Sequence, residues 1–337
     1  MHEKRTNRDM RFHLHPGWIE LLKQGAKTYN IELSSLPSYS AIQAVPAKPD
    51  IRLVRQFHQD LIDRSDYLFP LNTAQCVTPF TFGCFSVLLW TSKNLIEYLH
   101  HLSEFFILAA YHTHLSVTEN EDKIELWIIN SSTPESYQLT KIGIFLMVCT
   151  ILDIMRQLNG DTPIPCKVFA PLHDYTQQKK DAFCRQYNCL DIEQGPVIKL
   201  VFKKSDLLAP LCTHNQELQQ HTLAFVREQT AKVSKHDIRL QVCHALDELP
   251  NLRNVSIQTI ARALLTSPRT LNRRLAVTDT NFKTILKNYR LEKALNLLND
   301  PDINMTEIAF QLGFSELSSF SRAFKRWTGE APSKTNG

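Results

Sequence analysis

Apolar residues recur every three or four positions along most of this chain and every second position in one stretch. The first spacing marks a helix with one buried face, the second a strand with one buried face. Trp18 to Tyr29 and Ile51 to Ser65 read as short helices in a segment punctuated by prolines 37, 46 and 49. Leu95 to Ala110 reads as an amphipathic helix rich in Leu and Phe. Thr113 to Thr118 alternates, Glu119 to Asp122 has turn composition, and Lys123 to Ile129 alternates again, which predicts a hairpin. On its second arm Ile124, Leu126 and Ile128 are expected to face a core, with Lys123, Glu125 and Trp127 opposite. A helix from Ser136 to Leu158 should follow, closed by Asn159-Gly160. Then come a short strand, Cys166 to Ala170, a polar helix, Tyr175 to Tyr187, and a strand, Pro196 to Phe202. Hairpin, helix, strand, helix, strand is the order of an α+β domain with helices packed on one sheet. A boundary is expected near Leu207 to Asn215, and a polar helix, Glu217 to Lys232, leads out of it.

The pattern beyond residue 250 is purely helical and repeats itself. In Asn304 to Thr328, Asn304 and Glu307 have capping-box spacing, and Ile308, Ala309 and Leu312 make an apolar stripe. Gly313 then stands where a helix stops in a left-handed conformation, and Ser315 is placed to cap a second helix. That helix turns Phe320, Phe324 and Trp327 inward and leaves Ser318, Ser319, Ser321, Arg322, Lys325 and Arg326 outside. Ser256 to Ala276 has the same plan. Ile260, Ala261 and Leu264 form its stripe, Ser267 caps the second helix, and Pro268 takes the first helical position, where a missing N–H costs nothing. Leu271 and Leu275 point in, while Arg269, Thr270, Asn272, Arg273 and Arg274 remain outside with no acidic neighbour. An amphipathic helix, a tight turn and a basic helix make a helix-turn-helix. The units differ by one residue in the turn, and Leu265 occupies the place of Gly313. A left-handed Leu265 would cost about 1 kcal/mol. Between the units, Asn281 to Asn299 predicts one continuous helix of roughly 27 Å, near the ~34 Å turn of B-DNA once its flanking turns are added.

Composition sharpens this division. The chain has 337 residues, 38 Lys and Arg against 34 Asp and Glu. From residue 236 onward there are 14 basic and 10 acidic residues, so the whole excess of +4 lies there and the remainder is neutral. That distribution suits one domain that meets phosphate and another that does not. The apolar run Ile142 to Met155 is interrupted by Asp153 and is too short for a membrane span, so it reads as a buried helix, and no membrane partner is expected. MHEKRTNRDMRFHLHPGW has no apolar run of the signal-peptide kind. The eight cysteines contain no C-x-x-C pair, which points to reduced thiols in a cytoplasm and to no metal or cofactor.

Three runs, SPRTLNRRL, NFKTILKNYRLEKALNLL and TEIAFQLGFSELSSFSRAFKRWTGEAPS, together resemble the DNA-binding domain of the AraC/XylS family of bacterial transcriptional regulators. In that family both recognition helices read bases. Carried over by position, the resemblance implies base contacts by Arg269, Asn272 and Arg273 on the first helix, and by Ser318, Ser319 and Arg322 on the second. Arg pairs with guanine O6 and N7, Asn with adenine N6 and N7, and Ser is permissive. Thr270, Arg274, Lys325 and Arg326 are better placed for phosphates. The first unit carries the denser readout face and is expected to supply most of the discrimination.

Residues from about 80 to 210 resemble the arabinose-binding-type N-terminal domain of one branch of that family, through FGCFSVLLWTSKNLIEYLHHLSEFF and PVIKLVFKKSDLLAPL. The resemblance implies a domain that senses a small molecule, dimerises, or both. The chain lacks the Gly-rich turns of a cupin barrel, so a helix-bearing α+β domain is expected. Trp90, Phe105, Phe106, Tyr111 and Trp127 could line a pocket, but such spacings belong more often to core. His100, His101, His112 and His114 cluster in sequence without a metal-ligand spacing.

The sequence thus predicts a multidomain protein. Residues 1–210 form an α+β effector or dimerisation domain, 211–235 a linker helix region, and 236–337 an all-α DNA-binding domain with two helix-turn-helix units on a linker helix. The expected partners are double-stranded promoter or operator DNA, a small-molecule effector, RNA polymerase if the protein activates, and a second copy of itself. The alternatives are an effector-independent regulator, an architectural DNA-binding protein, or an enzyme domain fused to a DNA reader. Against the last stand nine glycines and no G-x-S-x-G, H-E-x-x-H, P-loop or G-x-G-x-x-G motif.

Overall fold

A computed structural model describes residues 14–44, 50–110, 113–130, 139–171, 176–195, 197–278, 280–298, 300, 302–328 and 331–334. The chain divides into two compact units. The first comprises Met1–Asn130, Ser136–Gln194 and Ile198–Thr230, and the second is centred on Ala231–Gly337.

Among the described residues of the first unit, six α-helices precede the sheet: α1 (Gly17–Thr28), α2 (Tyr39–Gln43), α3 (Ile51–Ile62), α4 (Phe69–Ala74), α5 (Cys84–Trp90) and α6 (Leu95–Phe105). Strands β1 (Thr113–Glu119) and β2 (Lys123–Asn130) form the hairpin, with Leu115 opposite Ile128. Then come α7 (Lys141–Leu158), β3 (Cys166–Ala170), α8 (Gln177–Tyr187), β4 (Cys189–Gln194) and β5 (Ile198–Lys203). The sheet order is β1-β2-β5-β3-β4, antiparallel except for β3 beside β4. Helix α8 makes the crossover that a parallel pair requires. This is the α+β arrangement the periodicity predicts.

Two details differ from the sequence reading and a third adds to it. β4 was not expected, because Cys189 to Gln194 is mostly polar and only Cys189 among its residues is fully buried. Helix α7 begins at Lys141, where the Thr140 hydroxyl accepts from the Gly143 amide at 3.0 Å; the expected start, residues 136–138, lies outside the described residues. Glu125 and Trp127 do not face water. Both are buried, so β2 is enclosed on its two faces. The Glu125 carboxylate lies 2.9 Å from the Lys123 ammonium and 3.6 Å from that of Lys199, and Lys199 is itself held over the Trp127 and Phe169 rings. Paired charge and ring faces make this burial tolerable.

One continuous core joins the helices to the sheet, from Leu14 and Trp18 through Phe57, Tyr98 and Leu126 to Met155 and Phe202. It extends to Val226 of α9 (Gln216–His236), whose Gln219 donates to Glu97 at 2.7 Å. The apolar run of α7 is buried in this core. Among the described residues no helix is long and apolar enough to cross a membrane.

The second unit is all helical: α10 (Ile238–Asp247), α11 (Ile257–Ala263), α12 (Pro268–Val277), α13 (Phe282–Leu298), α14 (Met305–Gln311) and α15 (Leu317–Thr328). Helix α10 packs on α13, where the Tyr289 hydroxyl donates to Asp247 at 2.6 Å. Helix α13 is the expected rod between the two helix-turn-helix units.

Candidate nucleic-acid interface

Each half of the second unit is assembled by its own caps and turn. In the first half the Ser256 hydroxyl accepts from the Thr259 amide at 3.3 Å and starts α11, whose Ile260 and Ala261 are fully enclosed. The chain then reverses through two hydrogen bonds. The Leu265 amide donates to the Arg262 carbonyl at 3.0 Å, and that of Thr266 to the Ala261 carbonyl at 2.8 Å. Ser267 accepts from the Thr270 amide at 3.1 Å, and Pro268 opens α12. Leu271 and Leu275 are fully enclosed. This anchors α12 by one face and presents the other.

In the second half the capping box is present: Asn304 accepts from the Glu307 amide at 3.0 Å, and the Glu307 carboxylate accepts from the Asn304 amide at 3.2 Å. Ile308, Ala309 and Leu312 are buried as predicted. The turn repeats the first one, Gly313 donating to Phe310 and Phe314 to Ala309, both at 2.9 Å. Helix α15 starts later than expected. The Glu316 carbonyl accepts from the Ser319 and Phe320 amides, so the helix begins at Leu317 and Ser315 stands outside its capping position. Phe320 and Phe324 are enclosed, while Trp327 is half-buried, 6.1 Å from the Phe314 ring.

The turns differ where the sequence does. Leu265 has φ +50° and Gly313 φ +80°, both left-handed. Leu265 is 95% exposed, so it stores strain without a contact that would need its side chain. Gly313 has a second constraint: a Cβ there would overlap the Leu252 carbonyl oxygen. Leu252, which precedes α11, also accepts from Arg290 of α13 at 3.3 Å, and the Arg290 guanidinium lies over the Phe314 ring. Burial lowers the Arg290 pKa from the ordinary arginine value. Leu252, Arg290 and Phe314 thus tie the first half, the rod and the second turn together. The sequence analysis missed this clamp, because a lone Arg beside an apolar stripe gives no signal of its own.

The expected base-reading residues fall on two outer faces. Arg269, Asn272 and Arg273 are exposed on α12, and none of their side chains bonds to another described residue. Ser318 and Arg322 are exposed on α15 and Ser319 is half-buried there. The Ser318 hydroxyl donates to Glu316 at 3.0 Å, and Arg322 donates to the Ser319 hydroxyl at 3.4 Å. Of the expected phosphate residues, Lys325, Arg326 and Arg274 are exposed, with Arg274 donating to Gln241 at 3.2 Å. Thr270 is half-buried, its hydroxyl accepting from Ser267 at 2.9 Å. The α12 face therefore carries no acidic residue and leaves Arg269, Asn272 and Arg273 uncommitted, whereas α15 has Glu316 at its start. Such faces can place guanidinium and amide groups against base edges and ammonium groups against phosphate.

A helix-turn-helix domain family matches residues 260–337. The chain is 24% identical over 322 residues to an HTH-type transcriptional regulator of Mycobacterium tuberculosis, spanning 90% of this chain and 87% of that one. It is 30% identical over 181 residues to the HTH-type transcriptional regulator VqsM of Pseudomonas aeruginosa, spanning 53% and 54%. This chain carries an AraC/XylS-type helix-turn-helix domain. The crystal structure of the transcriptional regulator CdpR from Pseudomonas aeruginosa aligns with 94% of this chain and 96% of its own, at 21% identity and a TM-score of 0.46.

Outside that domain the histidines and aromatics do not converge. His100 pairs with Glu119 at 3.3 Å, His101 is buried 3.3 Å from the Ser92 hydroxyl, and His114 is exposed on β1. Trp90, Phe105 and Phe106 are core, and Trp127 packs against Lys199. Tyr111 and His112 lie outside the described residues. Among the described residues no group of three His, Cys, Asp or Glu could hold a metal ion.

Proposed function

We propose that the protein is a bacterial transcription regulator that binds promoter or operator DNA sequence-specifically in the cytoplasm. The observation that carries this reading is the α12 face. Arg269, Asn272 and Arg273 stand exposed and unbonded to described residues, opposite a fully enclosed Leu271–Leu275 anchor. The helix is fixed while its readout groups are uncommitted, as base recognition requires. Arg269 and Arg273 each read guanine and Asn272 adenine. Ser318, Ser319 and Arg322 read a second block, and Thr270, Arg274, Lys325 and Arg326 hold phosphates. Residues 1–210 bind a small-molecule effector that shifts DNA affinity, and 211–235 link the two functions. A second copy and, for activation, RNA polymerase complete the assembly. The regulators named above, similar over most or half of the chain, support this reading and disfavour an enzyme. Selection of fragments bound by the full-length protein from a random DNA pool tests it. An enriched motif is expected, and a pool that stays random overturns the proposal.

A further inference from the structure

Three cysteines come together in the first unit. Cys184 lies in the last turn of α8, Cys189 opens β4 and Cys166 opens β3. The local fold explains the meeting. Helix α8 is anchored by the buried Phe183 and Tyr187 and ends at Asn188, whose amide donates to the Cys184 carbonyl. Asn188 has φ +50°, so the chain turns back there and β4 starts beside the helix end it has just left. β4 then pairs with β3, with Cys189 opposite Cys166 in register. The Cys189 thiol stands next to those of both Cys184 and Cys166, and it donates to the Asp191 carbonyl at 3.0 Å.

The three differ in access. Cys184 is half-buried, Cys189 is nearly enclosed and Cys166 is fully enclosed. Exposed Cys84 and Cys212 belong to other segments, the start of α5 and the stretch before α9. Burial, and then the neighbouring Cys189, push the Cys184 thiol up to about 12. Contact with Cys166, and then burial, hold the Cys189 thiol above its ordinary value as well. Both are therefore protonated near neutral pH and slow to attack an outside reagent. Once the accessible sulfur is oxidised, however, its neighbour attacks within the same molecule, and proximity offsets the scarcity of thiolate.

We infer that Cys184 and Cys189 are a modification site, closing to a reversible disulfide when the protein meets a low-molecular-weight disulfide. The Cys184 thiolate attacks one sulfur of the reagent, whose S–S bond breaks and releases one thiolate. The Cys189 thiolate then attacks the Cys184 sulfur and expels the second, and the two leaving thiolates take up the protons that the cysteines lost. Two protein thiols are oxidised and one reagent disulfide is reduced to two thiols. The bridge ties the start of β4, the edge strand of the sheet, to α8.

Oxidised glutathione is the probe, added to the folded full-length protein. Thiols left over are alkylated in urea, and trypsin cleavage after Arg185 puts Cys184 and Cys189 on separate peptides. Mass spectrometry should find those two peptides joined and parting on reduction, while Cys84 and Cys212 carry single glutathione caps. The joined species should form about tenfold faster for each pH unit between 7 and 9, since Cys184 ionises well above that range. Cys189→Ser should leave the cap on Cys184, and Cys166→Ser should leave the bridge intact. The natural chain alone can refute the site. Cys184 and Cys189 both alkylated where Cys84 and Cys212 are capped, a cap that persists on Cys184, or a bridge from Cys189 to Cys166 instead would each overturn it.

Discussion

Arg273 and Lys325 are both exposed cations, one on each of the proposed recognition helices, yet their loss should differ in kind. A bidentate Arg–guanine pair is worth about 1–3 kcal/mol of discrimination, whereas a lysine on phosphate contributes equally to every sequence. Arg273→Ala is expected to weaken the selected site by ~1–3 kcal/mol and to relax base preference at one position. Lys325→Ala should weaken selected and scrambled duplexes alike and lower the salt slope by about one. Anisotropy titrations of both duplexes at several salt concentrations separate the two. Equal weakening of both duplexes by Arg273→Ala would remove it from base readout. These residues were legible in the sequence because a helix with a fully apolar inner face must expose the rest. Glu316 was not, since only the late start of α15 brings its carboxylate beside Ser318.

At the scale of elements, the two turns have the same hydrogen bonds and opposite tolerances. Leu265→Gly should stabilise the second unit by about 1 kcal/mol, because it relieves a left-handed Leu and gives up no buried surface. Gly313→Ala should destabilise it by more than that, since the added Cβ meets a backbone carbonyl that also binds Arg290. In a domain of this size 1 kcal/mol moves the melting temperature by roughly 4–8 °C, which calorimetry resolves. Shifts of the same sign in both variants would contradict the account of the turns. The repeat aligned Leu265 with Gly313 and so raised the question of a left-handed residue there, which the structure answers with φ +50°. It could not give away Leu252, which is remote from Gly313 in sequence and meets it only in the folded unit. The same limit applied to β2. Its alternation set Lys123, Glu125 and Trp127 opposite the Ile124 face, and only the sheet pairing shows Lys199 and Phe169 beside Trp127.

On the scale of the whole molecule, the first unit should be the acid-sensitive one. Burial pushes His15 and His58 down to about 4 from 6.5, so both are neutral in the fold. The unfolded chain takes up protons below pH 6.5 that the folded chain refuses until about pH 4. Stability from these groups is thus complete above 6.5 and declines as pH falls toward 4. For His58 the loss across that window is on the order of 3 kcal/mol. Urea unfolding of the first unit should therefore shift to a lower midpoint between pH 7.5 and 5, and less so in His58→Gln; a pH-independent midpoint would contradict the burial of neutral histidines. The order of strands and helices here was mostly readable from period and turn residues. The packing of α1 to α5 into one core with the sheet was not, because prolines and polar stretches interrupt the pattern before residue 80. The claim that matters most is that two recognition helices read two separate blocks of DNA. Fragment selection with the full-length protein, repeated with Arg269→Ala/Arg273→Ala and with Ser318→Ala/Arg322→Ala, tests it directly. The account predicts two enriched blocks about one helical turn apart, each double variant erasing the information in one block and sparing the other. Both blocks surviving in both variants, or both collapsing together in each, would contradict it.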